Sequence, residues 1–343
     1  MDYLRVCLFA LSKMKGLSRT EKRRLADEIS KKRTGSLKMM EKIVNKEIEK
    51  ELEKELTYLQ KIGSSIVTIL DDSYPSILRT IPDAPIVLYV KGKMRYLNET
   101  IAIVGSRKAS YEGLNLAERV GETLSELGIT IVSGLARGID AQAHRGALKG
   151  NGKTVAVLGC GIDVCYPAEN RRLYEQISEE GMIFSEYAPG VPPFPYHFPE
   201  RNRIIAGLSK AILVVEASRK SGALITARLG LDYGRDVMAV PGNVYDESHS
   251  GTNLLIKEGA RLVTEIGDII EYSFPHIRPK KESKVELENE ELLVFSAIGN
   301  ESTHVDEIIE KARMDSPKVL AILTRLELKG LIKGFPGGFY LRV

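Results

Sequence analysis

The sequence predicts an α/β protein with an extended Rossmann-like, doubly wound and mainly parallel sheet, an N-terminal helical module and a C-terminal winged-helix module. Two observations support this prediction. Apolar segments of strand length alternate with helical patterns between residues 63 and 275, which is typical of a parallel sheet with helices on both faces. After residue 290, three helical patterns precede a short hairpin, the element order of a winged helix. A chain of 343 residues is long enough for these domains.

The composition excludes several classes of protein. The three cysteines form no C-x-x-C pair and the five histidines are scattered, so we expect neither a disulfide framework nor a metal site. No apolar stretch reaches the roughly 18 residues that a membrane-spanning helix needs. These features predict a cytoplasmic protein without a membrane partner. The net charge of +3 is too small to indicate nucleic-acid binding by itself.

Residues 1–62 are predicted to form the helical module. They carry 16 lysines and arginines against 10 acidic residues, and Ser18 or Thr20 is expected to cap a helix that runs from Glu21 to Ile29. Residues 16–18 resemble the turn of a helix-hairpin-helix, so a module of the SAM or helix-hairpin-helix type is one interpretation. The pattern favours a solvated helical cap with charged faces.

The region 63–275 contains the predicted sheet. Helical patterns such as 113–127 and 139–149 separate the later strands, and crossover helices of this kind connect parallel strands. The first two strands precede any crossover helix, so we expect them to extend the sheet at one edge. The predicted strands are 65–70, 86–91, 101–105, 129–133, 154–159, 182–185, 211–216 and 236–240.

A mixed-charge segment with prolines over residues 276–289 predicts a linker, and residues 290–343 are assigned to a winged helix. This domain suggests a transcriptional regulator as one alternative function. Because it contains seven basic and eight acidic residues, it is poorly suited to grip duplex DNA, and a protein-contact role is favoured. Its predicted helices are 290–298, 304–312 and 316–329, and its strands lie between 331 and 341.

The strongest chemical signal lies where the strand 101–105 ends. Ligands of open parallel sheets bind beyond the carboxyl ends of the strands, and this strand runs into Gly105, Ser106 and Arg107 before a helix. A glycine turn at a helix N-terminus directs N–H groups at an anion. Arg107 occupies the place of the second glycine in G-x-G-x-x-G, which lets a dinucleotide approach the backbone. The pattern therefore predicts phosphate binding without a nucleotide cofactor.

Other strands of the predicted sheet also end in small, polar or basic residues, so this edge is predicted to bind a phosphate-bearing ligand. We expect Arg203 in the first turn of a helix, where the helix dipole disfavours a cation unless an anion or acid lies nearby. Asp140, Glu186 and Glu216 are candidate partners, and we expect some arginines to be internal struts and others to face the ligand. The edge residues are Ser133, Gly134, Arg137, Arg201, Asn202, Arg203, Lys220 and Ser221.

Five ordered motifs within about residues 64–265 closely resemble the DprA/Smf family of DNA-processing proteins. The flanking helical and winged-helix modules fit the layout of that family by pattern. The motifs are Gly105-Ser106-Arg107, Ser133-Gly134-x-Ala136-Arg137-Gly138-Ile139-Asp140, Tyr166-Pro167, residues 201–207 and residues 220–227.

The resemblance implies a single-stranded DNA-binding protein that protects incoming strands during natural transformation and loads the RecA recombinase onto them. It also implies a homodimer formed through the Rossmann-like domain, with no cofactor and no catalysis. Nearby aromatic candidates for base stacking are Tyr111, Tyr166, Tyr187, Phe194, Tyr196 and Phe198. The implied DNA-binding residues are Gly105, Ser106, Arg107, Ser133, Gly134, Arg137, Arg201, Asn202, Arg203, Lys220 and Ser221.

The main alternative is a nucleotide-processing enzyme related to the lysine-decarboxylase-like phosphoribohydrolases, which share a similar sheet and a P-G-G-x-G-T-x-x-E loop. Thr226 could match the threonine of that loop, but Leu229 stands where the glutamate would be. The loop therefore lacks a carboxylate for general acid–base chemistry. We interpret His144 as a residue on the polar face of a helix. We assign structural roles to three acidic residues: Asp140 as an acid in the first turn of a helix, and Glu186 and Glu216 as partners of arginines.

Overall fold

A computed structural model describes residues 3–31, 34–93, 97–277, 287, 289–299, 302–329 and 331–342. The chain divides into two compact units, Met1–Ile277 and Arg278–Val343. Most of the predicted linker, residues 278–286 and 288, lies outside the described residues. No helix among the described residues combines the length and the apolar character needed to span a membrane.

The N-terminal helices belong to the same unit as the sheet. Leu8 and Leu11 of the first helix share one hydrophobic core with Leu88 of the sheet. Ser18 caps the second helix as predicted: its Oγ accepts from the Glu21 N–H at 3.2 Å, and the Glu21 carboxylate accepts from the Ser18 N–H at 2.8 Å. This reciprocal pair is a capping box. The helices are α1 (Tyr3–Lys13), α2 (Arg19–Ser30), α3 (Thr34–Ile43) and α4 (Lys46–Lys61).

The sheet confirms the predicted mainly parallel architecture. Its strands are β1 (Ser64–Thr68), β2 (Val87–Gly92), β3 (Thr100–Val104), β4 (Thr130–Ser133), β5 (Thr154–Leu158), β6 (Met182–Ser185), β7 (Ala211–Val214), β8 (Asp236–Ala239) and β9 (Arg261–Leu262). Their order is β1-β2-β6-β5-β4-β3-β7-β8-β9. The strands β3 to β9 run parallel, whereas β1 and β2 pair antiparallel at one edge, as expected from their place before the first crossover.

Helices cover both faces of the sheet. Ala102 and Val104 of β3 lie in one buried cluster and Ile101 and Ile103 in another, because successive side chains of a strand point to opposite faces. The helices of this region are α5 (Ser76–Arg79), α6 (Tyr111–Glu126), α7 (Ile139–Lys149), α8 (Arg171–Glu180), α9 (His197–Gly207), α10 (Ala223–Asp232), α11 (Ser250–Lys257) and α12 (Ile266–Ser273).

The strand order reverses between β3 and β7. From β3 the chain proceeds outward through β4 and β5 to β6, and then returns to place β7 on the other side of β3. A crevice opens at such a switch point because the loops that follow the two strands diverge to opposite faces. This crevice positions the candidate site described below.

The second unit is a winged helix, as predicted. Val294, Ile308 and Leu323 lie in a hydrophobic core of this unit. Its elements are α13 (Asn289–Ala297), β10 (Thr303–His304), α14 (Val305–Ala312), α15 (Ser316–Leu328), β11 (Ile332–Phe335) and β12 (Phe339–Arg342). The strands form an antiparallel sheet in the order β10-β12-β11.

Candidate nucleic-acid interface

An open cleft of about 820 Å³ lies at the switch point, beyond the carboxyl ends of β3 and β7. Its two walls are the loops that follow these strands, and the first half of α9 forms a third side. Residues that line the cleft include Gly105, Ser106, Arg107, Lys108, Asp140, Tyr166, Phe198, Arg201, Asn202, Ser218, Ser221, Gly222 and Thr226.

The turn after β3 is fixed by its neighbours. A Cβ at Gly105 would lie 2.6 Å from the Ile139 side chain and 2.9 Å from the Glu216 carbonyl, so glycine is needed here for close packing of α7 and β7. The Ser106 N–H donates to the Glu216 carbonyl at 2.7 Å. Arg107 follows this anchored pair and is exposed to solvent at the cleft.

Arg201 is an internal strut whose guanidinium also borders the cleft. Only 4% of this residue is exposed. Its Nη1 donates to the carbonyl of Gly134 at 2.8 Å and to that of Val157, which ties α9 to the ends of β4 and β5. The guanidinium occupies the space that a Cβ at Gly134 would need, 2.5 Å away. The Arg201 side chain is therefore held in place before any ligand binds.

Ser133 and Gly134 have structural roles at the end of β4. The Ser133 side chain is fully buried, and its Oγ donates to the Ile103 carbonyl at 2.6 Å. The Gly134 N–H donates to the Asp140 carboxylate at 3.1 Å. Burial raises the pKa of Asp140, and the positive charge of Arg201 offsets part of this increase.

Arg203 faces an ion-pair network away from the cleft lining. The expectation that it lies in the first turn of a helix is wrong, because α9 begins at His197 and places Arg203 well inside the helix. Its guanidinium donates to the Asp83 carbonyl at 2.5 Å and pairs with Glu186. Only 3% of the residue is exposed, so Arg203 is one of the expected internal struts.

Arg137 is exposed but already paired. Its Nε and Nη2 donate to the two oxygens of Glu169 at 2.5 and 2.7 Å. This bidentate geometry is the strong form of an arginine–carboxylate pair. A phosphate would have to compete with Glu169 for the guanidinium.

Cations without acidic partners lie on the loops that follow β3 and β7. Arg107 and Lys108 line the cleft, whereas Arg219 and Lys220 lie between the lining residues Ser218 and Ser221 and are not part of the lining themselves. Arg107 and Lys108 follow β3, and Arg219 and Lys220 follow β7; all four are exposed. Within the described ranges, no carboxylate lies within 4.0 Å of any of these side chains. Sequence reasoning missed Lys108 and Arg219, although each stands directly beside a residue that it selected. Asn202 of α9 and Ser221 of the loop after β7 also line the cleft.

Phe198 presents an aromatic face inside the cleft. The guanidinium carbons of Arg107 and Arg201 lie 5.4 and 6.0 Å from its ring centroid, within the range of cation–π contacts. Tyr166 lies 5.4 Å from the same ring at a tilt of 37°. The cleft therefore combines positive charge with flat apolar surfaces, the two chemical features that bind phosphates and bases of a single strand.

The acidic residues of this edge serve the fold. Glu216 accepts from the Ser110 N–H at 3.0 Å and from its Oγ at 2.6 Å, so it holds the start of α6 instead of pairing with an arginine. Among the residues that the structure describes, no three His, Cys, Asp or Glu side chains come together in a way that could hold a metal ion.

His144 was assigned to a polar helix face, and this assignment is wrong. The side chain is fully buried in α7, and its Nδ1 lies 2.6 Å from the Thr154 hydroxyl. Burial lowers the pKa of His144 to about 3. The imidazole is therefore neutral in the folded protein at physiological pH.

We expect His144 to make folding stability depend on pH. The pKa of His144 is lower in the folded chain than in the unfolded chain, where it is about 6.5. The neutral imidazole therefore makes its full contribution to the free energy of unfolding above pH 6.5, and this contribution declines as the pH falls towards 3. The free energy of unfolding then falls by about 1.4 kcal/mol per pH unit, which amounts to a total loss of about 2 kcal/mol at pH 5. Urea unfolding at pH 7.5 and pH 5 should show a smaller decrease for His144→Gln than for the parent chain. Equal decreases in the free energy of unfolding would contradict the conclusion that His144 is neutral in the folded protein.

Three of the seven basic residues of the winged helix pair with acidic residues. Lys311 pairs with Glu307, Lys318 of α15 pairs with Glu290, and Lys329, directly after α15, contacts the buried Glu291 at 2.7 Å. Arg325 of the same helix is exposed. Since duplex affinity depends on cations that are free to meet phosphates, these pairs reduce the positive charge that this surface offers to duplex DNA.

Both units of the chain are similar to known proteins. Residues 65–273 match the family model described as DNA recombination-mediator protein A, and residues 278–338 match the DprA winged helix domain. Protein Smf of Escherichia coli is 40% identical over 297 residues, which cover 83% of this chain and 79% of the relative. The DNA processing protein DprA of Streptococcus pneumoniae is 47% identical over 209 residues, which cover 60% of this chain and 74% of the relative.

Solved structures extend the similarity to the fold. The structure of Streptococcus pneumoniae DprA superposes with a TM-score of 0.63 at 39% identity, over 76% of this chain and 88% of that protein. Helicobacter pylori DprA, whose structure was described for its mode of binding single-stranded DNA, has a TM-score of 0.57 at 28% identity, over 63% and 97% of the two chains. The relatives are DNA-processing proteins, and this chain belongs to their family, DprA/Smf, the DNA recombination-mediator proteins.

Proposed function

We propose that this chain binds single-stranded DNA in the cleft between β3 and β7. The observation that carries the proposal is the set of cations without acidic partners on the two loops that form the cleft walls, while other arginines of the same edge are neutralised. The cations after β3 line the cleft, and those after β7 lie beside residues that line it. Arg107, Lys108 and Lys220 would contact phosphates, and Phe198 would stack a base. Phosphate contacts of this kind are independent of base sequence.

A single strand fits this arrangement better than a duplex. Its backbone can turn to present phosphates one at a time to cations on separate walls, and its bases are free to meet an aromatic ring. The description of the Helicobacter pylori relative as a single-stranded DNA-binding protein supports the same ligand.

The preference for a single strand can be tested by titrating labelled oligonucleotides in a salt series. We expect tighter binding of single-stranded than of duplex DNA of the same sequence. About four phosphate contacts predict that the logarithm of the association constant falls against the logarithm of salt concentration with a slope of roughly −3. Equal affinity for the two forms, or a slope near zero, would overturn the proposal.

We also propose the cellular role that the family resemblance implies. The protein protects incoming strands during natural transformation and loads the RecA recombinase onto them, acting as a cytoplasmic homodimer. Sedimentation equilibrium should reveal the dimer at micromolar concentration. RecA filament formation on single-stranded DNA, followed by light scattering, should start sooner when the protein is present, and unchanged kinetics would argue against loading.

We propose that the cleft has no catalytic activity. Thr226 is buried, and Leu229 occupies the position that a phosphoribohydrolase-like loop would give to glutamate. Asp140 is hydrogen-bonded to Gly134, and Glu216 to Ser110, which supports a structural role for both carboxylates. Incubation with nucleoside monophosphates should release no ribose phosphate, and turnover would favour the enzyme.

A further inference from the structure

A pair of exposed aromatic rings lies beside the cleft and outside its lining. Phe194 is 42% exposed and Tyr196 is 60% exposed. Their ring centroids are 5.6 Å apart and their planes differ by only 7°, so the pair forms an offset-parallel stack. Other tyrosines of this chain are at least as exposed, among them Tyr111 and Tyr245, but Phe194 and Tyr196 are stacked on each other beside the cleft.

The pair is rigidly supported from below. His197 is buried, and its ring makes edge-on contacts with Phe194 at 5.3 Å and with Tyr196 at 4.6 Å. The same ring stacks on Tyr187 at 3.8 Å, and its Nδ1 lies 3.1 Å from the Gly159 carbonyl. Two stacked rings therefore rest on a third that is fixed to the end of β5.

The loop that carries the pair is stiff. Prolines occupy positions 192, 193 and 195, and each one fixes its own φ angle. Binding to a surface that is already ordered costs less conformational entropy than binding to a mobile loop. The rings are thus held in one arrangement before a ligand arrives.

The pair continues the surface of the cleft. Pro193 and Pro195, which alternate with the two aromatic residues along the chain, line the cleft, as does Phe198. A strand that leaves the cleft past Pro193 and Pro195 would come next to the rings of Phe194 and Tyr196. Flat, exposed rings next to a phosphate-binding cleft have the chemistry to stack nucleobases.

We propose that Phe194 and Tyr196 form a second base-stacking platform for single-stranded DNA outside the cleft. This inference rests on the proposed function, because it assigns the next bases of the same bound strand to the platform. The platform adds affinity only for strands long enough to extend beyond the cleft.

The double variant Phe194→Ala/Tyr196→Ala separates the platform from the cleft. An oligonucleotide of about five nucleotides, joined by about four phosphates, fills the cleft alone, and one of about 15 nucleotides reaches the platform. We expect the variant to bind the longer strand about tenfold more weakly and the shorter one unchanged. The salt slope should stay the same because the platform adds no phosphate contact. The variant Phe194→Tyr/Tyr196→Phe keeps both rings and should retain parent affinity.

A fluorescence reporter tests base stacking directly. The sequence contains no tryptophan, so Tyr196→Trp introduces a single indole at the platform, whose emission can be excited apart from that of the tyrosines. The longer oligonucleotide should quench its emission, and the shorter one should not. The matched control is Leu231→Trp, which places an indole at a 56% exposed position near the far end of α10 and should not respond to either strand.

The outcomes separate this inference from the proposed function. If the parent chain binds neither oligonucleotide, the proposed function itself fails. If the parent binds both and the alanine variant binds both equally well, the platform is wrong and the cleft stands. A change in sedimentation of the alanine variant without a change in DNA affinity would identify the pair as a protein contact and would also overturn the inference.

Discussion

Replacing Gly138 with alanine is expected to destabilise the folded chain by about 3 kcal/mol or more. Gly138 precedes α7 with φ 75° and ψ −129°, a conformation that side chains strongly disfavour. A Cβ there would overlap the Ser106 carbonyl oxygen. That oxygen accepts from the Ile139 N–H at 3.2 Å, so the strain would fall on the turn that presents Arg107. Urea unfolding followed by circular dichroism measures the change.

Gly222→Ala is the matched control for this measurement. Gly222 also precedes a helix at the same edge of the sheet, but its φ is −62° and no atom of the described residues lies within 4 Å of the position that an alanine Cβ would take. We expect its free energy of unfolding to change by less than about 0.5 kcal/mol. Similar losses in the two variants would show that the backbone conformation of Gly138 is not what requires glycine.

Removing the unpaired cations is expected to have the largest effect on DNA binding. The double variant Arg107→Ala/Lys220→Ala deletes one cation from each of the loops that follow β3 and β7, and it should weaken single-stranded DNA binding about one-hundredfold at low salt. The salt slope should become shallower by about 1.4 because two phosphate contacts are lost. Homopolymeric and mixed sequences should be affected alike, since the lost contacts are to the backbone.

Folding stability should be almost unchanged in this double variant, because both side chains are exposed and neither pairs with a described carboxylate. Arg171→Ala provides a control for the loss of one positive charge outside the cleft. Arg171 lies on α8, is exposed and pairs with Glu175 at 3.1 Å, so its loss should leave DNA affinity within about twofold of the parent. An unchanged salt slope in the double variant would remove Arg107 and Lys220 from the site.

The sheet was predictable because burial on both faces leaves continuous apolar strands. The segment 211–216 illustrates this, since β7 occupies Ala211–Val214 and every residue in it is buried. The two-residue strand β9 was missed because Arg261 and Leu262 are exposed and too short to form a pattern. The attachment of α1 to the sheet was also beyond prediction, because Leu8 and Leu88 are brought together only by tertiary packing.

Six of the eleven residues selected from the sequence line the cleft, and the sequence did not reveal which of the eleven have structural roles. Arg107 and Arg203 are both arginines in matching motifs, yet one is exposed and the other pairs with Glu186 inside the protein. Nothing local distinguishes them, because Asp83, which accepts from Arg203, is distant in the sequence. His144 was misassigned for the same reason: whether a helix has one buried face or two depends on the elements that pack on it.

The hydrogen bond between Ser106 and Glu216 has a consequence for synthesis of the chain. The two residues are about a hundred positions apart, and the cleft lies between the loops that they join. Contacts of such large sequence separation form late in folding. Because β3 is translated before β7, a chain still emerging from the ribosome contains the glycine turn after β3 well before it contains the second wall of the cleft. The cleft therefore gains its second wall only once β7 and the start of α10 have been translated.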